Sequence, residues 1–289
     1  MGQISVPVTK DIILTATDRL QARNAGTGNV GNHVILLGEN AGNNNTASNV
    51  IAEGFGAFDA GAGAFLDGSI SLGQNAAGSV LSARVVTLLG NIAIGDNAMA
   101  SAVQAGGNIV IGNRAVTNLV GTAGAGNLEQ NVVIGQEAAS QVQFGVGATL
   151  TGSVIIGYQA AQGDTTQAAV FQNNVVIGTQ AIQNFGNVAG GQVGNTVSIG
   201  FQAGKTLGLS AACNNNTILG ANCANTLRTA NTCTLIGTGI NIGQGPSVDI
   251  TVLGAGAGGT ISADSTVIIG AGAGNNQAGL GSIYIGAGS

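Results

Sequence analysis

The side chains best equipped for chemistry are few and scattered. His33 is the single histidine and precedes the first aliphatic run with little around it to form a proton relay, so a loop or capping role is expected for it. Cys213, Cys223 and Cys233 are spaced evenly by ten, which is not the C-x-x-C spacing of a zinc site, and they are expected to be reduced, structural thiols. Gly254-Ala-Gly-Ala-Gly-Gly259 fits the G-x-G-x-x-G pattern. It lacks the following helix and the acidic residue about 20 positions on that dinucleotide binding requires. The acidic residues are dispersed, and no aspartate-rich calcium nonapeptide occurs. No catalytic residue, no cofactor and no metal site is therefore expected, and the chain reads as a non-enzyme.

Composition excludes further classes. Charged residues make up 7% of the 289, and the net charge is −5 with only seven Lys and Arg, in no sequence patch, which opposes binding to a nucleic-acid backbone. A hydrophobic content of 44% excludes disorder of the whole chain. No run of 18 apolar residues is present, so no membrane insertion is expected. The first residues lack a basic stretch followed by an apolar core, so no signal peptide is expected and synthesis is placed in the cytosol.

What any surface must be built on is a phrase repeated fourteen times, an aliphatic run closed by glycine. The closing glycines are Gly38, Gly54, Gly73, Gly95, Gly112, Gly135, Gly157, Gly178, Gly200, Gly220, Gly237, Gly254, Gly270 and Gly286, at intervals of 16 to 23 residues. Such a period marks a stacked repeat. Each unit has room for two short strands and two turns but not for a helical crossover of about 30 residues, so the fold class is all-β, a parallel β-solenoid of about 14 coils. The glycine fits a corner that needs positive φ. The residue three after it is Ala in eleven copies, which predicts a narrow interior there. The residue four before it is often Asn or Ser (Ser69, Asn91, Asn108, Asn131, Ser153, Asn174, Ser282), which predicts a side-chain ladder at the opposite corner.

Residues one and three before the glycine share a face and are expected to point into the coil, leaving the middle residue outside. That middle column is also apolar, and strands apolar on both faces are covered on both faces. The expected consequence is an obligate homo-oligomer with Val110, Val133, Ile155, Val176, Ile218, Leu235, Val252 and Ile268 at the interface.

The phrases Asn108-Ile-Val-Ile-Gly-Asn-Arg-Ala115, Asn131-Val-Val-Ile-Gly-Gln-Glu-Ala138 and Asn174-Val-Val-Ile-Gly-Thr-Gln-Ala181 resemble the head repeat of trimeric autotransporter adhesins, a repeat also similar to those of viral and phage fibre or surface proteins. The resemblance covers about residues 32 to 289 and implies a left-handed β-roll assembled as a homotrimer that binds host surfaces. The adhesin family also carries a secretory signal, a heptad stalk and a membrane-anchoring barrel, and none of these is expected from the residues of this sequence. The expected role is thus a fibre, spike or tail-fibre component at the virion surface, either receptor-binding or purely structural. The alternative is a head fragment of a bacterial adhesin at the cell surface. Ile94-Gly-Asp-Asn-Ala-Met99 also matches the hexapeptide pattern of left-handed β-helix acyltransferases. Intervals of 16, 17, 19, 22 and 23 break the tiling that pattern demands.

Residues 1–25 stand apart from the repeat domain of 26–289: they hold Lys10, Asp11, Asp18, Arg19 and Arg23 and no repeat glycine. They are expected to cap the first coil or to dock on another particle protein. Recognition of a host receptor or glycan is expected at loops, with Phe144, Phe171, Phe185, Tyr158 and Phe201 as candidates.

Overall fold

The computed structural model describes residues 19–21, 34–42, 48–58, 67–78, 87–100, 104–117, 127–141, 149–163, 170–183, 192–207, 213–225, 230–242, 247–258, 264–274 and 281–288. Among them there are strands and turns and no helix, and the architecture is a parallel β-solenoid. The strands form one sheet of fifteen and one of nine, hereafter the long and the short sheet. Each repeat phrase supplies one strand of the long sheet, and its neighbours pair in parallel with the columns aligned: Val110 pairs with Val133, Val133 with Ile155, and Ile155 with Val176. The short sheet runs alongside from Thr87–Leu89 to Ser247–Val248, with Thr149–Thr151 pairing in parallel with Val170–Gln172. Successive turns of the chain are called rungs below.

The glycine corner follows from two constraints. At all fourteen glycines φ lies between 124° and 148°. A Cβ added to Gly95 would stand 2.6 Å from the carbonyl oxygen of Gly112 on the next rung, so stacking leaves no room for any side chain. Two residues later the chain turns again in the left-handed region, here with Asn97, Arg114, Glu137, Gln159, Gln180 and Gln202, all at φ of 52° to 56°. Non-glycine residues adopt that conformation at a cost of about 1–2 kcal/mol each. It is offset by backbone bonds between rungs, such as Gln159 N–H to Gln136 O at 3.0 Å and Gln180 N–H to Tyr158 O at 2.9 Å.

The alanines three residues after the corner are fully buried, as their size predicts. Opposite them lies the middle strand column, and here the sequence expectation is overturned. Val110, Val133, Ile155, Val176, Ile218, Leu235, Val252 and Ile268 are all 0% exposed inside a single chain and are core residues, not interface residues. Alternation along a strand says which residues share a face, not which face is inside. A three-residue strand gives one side chain to one face and two to the other, and here the core takes the one.

The Asn/Ser ladder is present as the spacing predicts. Asn131 Nδ2 donates to Asn108 Oδ1 at 3.0 Å, and Asn108 Nδ2 donates to Asn91 Oδ1 at 2.9 Å. The same side chains reach the short sheet: Asn108, Asn131 and Asn174 donate to the carbonyls of Leu128, Leu150 and Val193 at 2.8, 2.7 and 2.8 Å. Buried amides thus join the two sheets through satisfied bonds. Asn216 extends the ladder, donating to Ala230 O at 3.0 Å and accepting from Cys233 N–H at 3.0 Å.

Arg19–Gln21 pair in parallel with Val34–Leu36, so the segment that the sequence sets apart contributes the first strand of the long sheet.

Candidate interaction surfaces

With the middle column inside, residues one and three before each glycine form the outer face of the long sheet. They read Ile35 and Leu37, Ile70 and Leu72, Ile92 and Ile94, Ile109 and Ile111, Val132 and Ile134, Val154 and Ile156, Val175 and Ile177, and onward to Ile283 and Ile285. Their side chains are half-buried by rung neighbours and otherwise open, with Ile134 at 36% and Ile236 at 39% exposure. At a strand spacing of about 4.8 Å this aliphatic face is on the order of 60 Å long. Polar interruptions are Glu53, set between Leu37 and Leu72, and a run of Thr217, Thr234 and Thr251 stacked in register. The sequence carries a signal for the observed orientation: Glu53 is the one charge among the three strand columns, and it stands in a column that alternation alone would place in the core.

Two polar residues of the inward column, Ser71 and Ser198, satisfy themselves locally. Each hydroxyl donates to a carbonyl five residues on, Ser71 to Ala76 at 2.6 Å and Ser198 to Ala203 at 2.9 Å. Hydroxyls so placed are compatible with a core position.

The recognition candidates separate into three groups. Phe171 is the middle residue of the short-sheet strand Val170–Gln172 and is 0% exposed, so it is core and not a recognition residue. Its column partners Leu150 and Val193 are buried with it, so the ring packs within the core. Phe144 and Phe185 lie outside the described residues, as does His33. Tyr158 and Phe201 follow their corner glycines directly and are 43% and 49% exposed, on the margin of the aliphatic face. Phe55 occupies the same offset and is likewise exposed, although sequence reasoning passed over it.

Beside that margin runs a polar rail. Arg114 lies 3.5 Å from Glu137, Gln159 Nε2 donates to Glu137 Oε2 at 2.9 Å, Gln180 Nε2 to Gln159 Oε1 at 3.1 Å, and Gln202 Nε2 to Gln180 Oε1 at 2.8 Å. An exposed amide stack, Asn173 to Asn195 to Asn215, marks the turn between the sheets at 3.3 and 3.2 Å.

The three cysteines are free and buried, as the spacing predicts. Burial pushes the Cys223 thiol up to about 12 and the Cys233 thiol up to about 11, so neither is a thiolate nucleophile near neutrality. Among the described residues no three His, Cys, Asp or Glu side chains gather into a metal-binding group, and no helix is long and apolar enough to cross a membrane. Comparison with protein-family models, with curated proteins and with solved structures returns no match.

Proposed function

We propose that the chain is a non-enzymatic structural or receptor-binding component displayed on a virus or phage particle, assembled as a trimer of left-handed β-rolls of about 14 coils each. The observation that carries this reading is the open aliphatic face of the long sheet. A stripe about 60 Å long and two side-chain columns wide amounts to roughly 600 Å² per chain, shared in a trimer between two contacts of roughly 300 Å² each, so the rung-joining segments and the corner residues must add to the standard 800 Å² or so per partner. Left in water, an apolar surface of that size is a liability. Two parallel columns suit a cyclic trimer, in which one column of each chain meets the other column of the next, a heterologous contact that closes on itself.

Interface residues under this reading are the outward pairs, such as Ile134, Ile156, Ile177 and Ile199, in place of the inward column assigned from sequence. Loops joining the rungs and the exposed corner residues carry recognition of a host receptor or glycan, and the N-terminal segment joins another particle protein. Sedimentation equilibrium at micromolar concentration is expected to give three times the 27.9 kDa chain mass. A monomer under those conditions sinks the reading. The isolated oligomer is then expected to bind target cells. Trimers that bind no cell leave the particle-decorating structural role, the second form of the same reading.

A further inference from the structure

We infer that Tyr158, Thr179 and Phe201 form a slot for a neutral sugar ring, with the Gln180 and Gln202 amides as its polar wall. The inference rests on the reading of the chain as a displayed recognition scaffold and names its ligand class. Gly157, Gly178 and Gly200 stack directly on one another, so the three residues that follow them stand in one column on consecutive rungs. Their backbones are fixed: Gln180 N–H donates to Tyr158 O at 2.9 Å, Gln202 N–H to Thr179 O at 3.0 Å, and Asn222 N–H to Phe201 O at 2.8 Å. The two aromatic side chains are therefore held two rungs apart, about 9.6 Å between backbones, with the short Thr179 side chain as the floor between them. Both rings stand open to solvent at 43% and 49% exposure.

The chemistry of the wall selects the ligand. Gln159, Gln180 and Gln202 form a continuous amide rail behind the slot. Each amide nitrogen carries two N–H groups, and the rail uses one along its length, so the other is directed away from it. A surface that alternates aromatic faces with neutral amides matches a molecule that alternates C–H faces with hydroxyls, which is a sugar ring. Arg114 and Glu137 sit farther along the rail and pair with each other at 3.5 Å, so neither is a lone charge there to recruit a phosphate or an acidic sugar. Rings two rungs apart also let one extended β-linked oligosaccharide lay successive sugar units along the column.

The competing occupant is a neighbouring copy of the chain, because the column borders the aliphatic face. The two are separated by measuring sugar binding and assembly on the same full-length samples. Saturation-transfer NMR with the β-linked tetrasaccharides of glucose and of N-acetylglucosamine is expected to show binding at about 1 mM or tighter. Phe201→Ala and Tyr158→Ala are each expected to weaken it at least tenfold, and Thr179→Trp, which fills the floor, to abolish it. Sedimentation of all three variants is expected to match the parent. Since the chain has no Trp and only two Tyr, quenching of tyrosine emission on titration gives an independent readout in Phe201→Ala, which keeps Tyr158. The inference is overturned by absence of binding to either tetrasaccharide, or by variants that bind as the parent does. It is also overturned by variants whose assembly dissociates while sugar binding is missing, which makes the aromatic pair a seam between copies. A monomeric parent that still binds sugar through these residues removes the scaffold reading and leaves the slot standing.

Discussion

The long and short sheets obey the same alternation and face opposite surroundings. Both give their middle residue to the interior, Ile155 and Val176 from one and Leu150 and Phe171 from the other. Outside they diverge. The short sheet presents Thr149, Thr151, Gln172 and Gln192, with Gln172 Nε2 donating to Thr149 Oγ1 at 2.9 Å, a surface that water satisfies. The long sheet presents Ile, Val and Leu at nearly every outward position. One fold thus carries two contrasting faces: the outward residues of the short sheet are mostly polar, with Leu89 and Val170 as apolar exceptions, and those of the long sheet are mostly aliphatic, which is the asymmetry the proposed trimer accounts for.

Substitutions at two neighbouring residues separate the inner from the outer face most strongly. Ile155→Asp places an unpaired charge in the interior and is expected to abolish folding, lost from both circular dichroism and protease resistance. Ile156→Asp, one residue on, points outward and is expected to leave the solenoid folded while sedimentation falls to the monomer. The reverse pair of outcomes would place the middle column at the interface and the outward pairs in the core.

Between the sheets, Asn108→Ala strips partners from Asn91 and Asn131 and from the Leu128 carbonyl, and about 2–4 kcal/mol of stability should be lost in urea titration. The thiols predict a pH effect whose sign follows from their burial. Folded pKa values of about 12 for Cys223 and about 11 for Cys233 lie above the ordinary 9.0, so their contribution is complete below pH 9 and is lost as pH rises toward the folded values. Urea midpoints measured from pH 8 to 11 should fall, and Cys223→Ala should shed part of that dependence. Smallest of all, Gln172→Ala on the short sheet is expected to change stability by less than about 1 kcal/mol and to leave assembly untouched.

The repeat period was enough to locate every glycine corner, the buried alanine column and the Asn/Ser ladder, because each sits at a fixed offset where sterics or hydrogen bonding admits few residue types. The orientation of the strand was not legible in the same way. Both of its faces are aliphatic, and hydrophobicity alone cannot rank them; only Glu53 and the small members of the middle column, Ala52, Ser71, Ala93 and Ser198, carried the information. The short sheet was anticipated only as room for a second strand per unit. Its strands are two or three residues long, and segments such as Gln192–Gly194 and Cys213–Asn214 have no pattern of their own. Phe171 therefore reads from sequence as a loop residue, although it lies in the core. The exposed corner aromatics Tyr158 and Phe201 were legible from their offset, and Phe55 at the same offset was equally available.

The ladder bond has a consequence for how such a chain tolerates change. Asn91 and Asn108 are 17 residues apart, Asn108 and Asn131 are 23 apart, and the bonds between them are nearly the same at 2.9 and 3.0 Å. Rung geometry is therefore indifferent to how much polypeptide intervenes. Evolution can lengthen or trim one interval without disturbing its neighbours, and a foreign epitope spliced between Thr117 and Asn127 should ride on an unaltered frame.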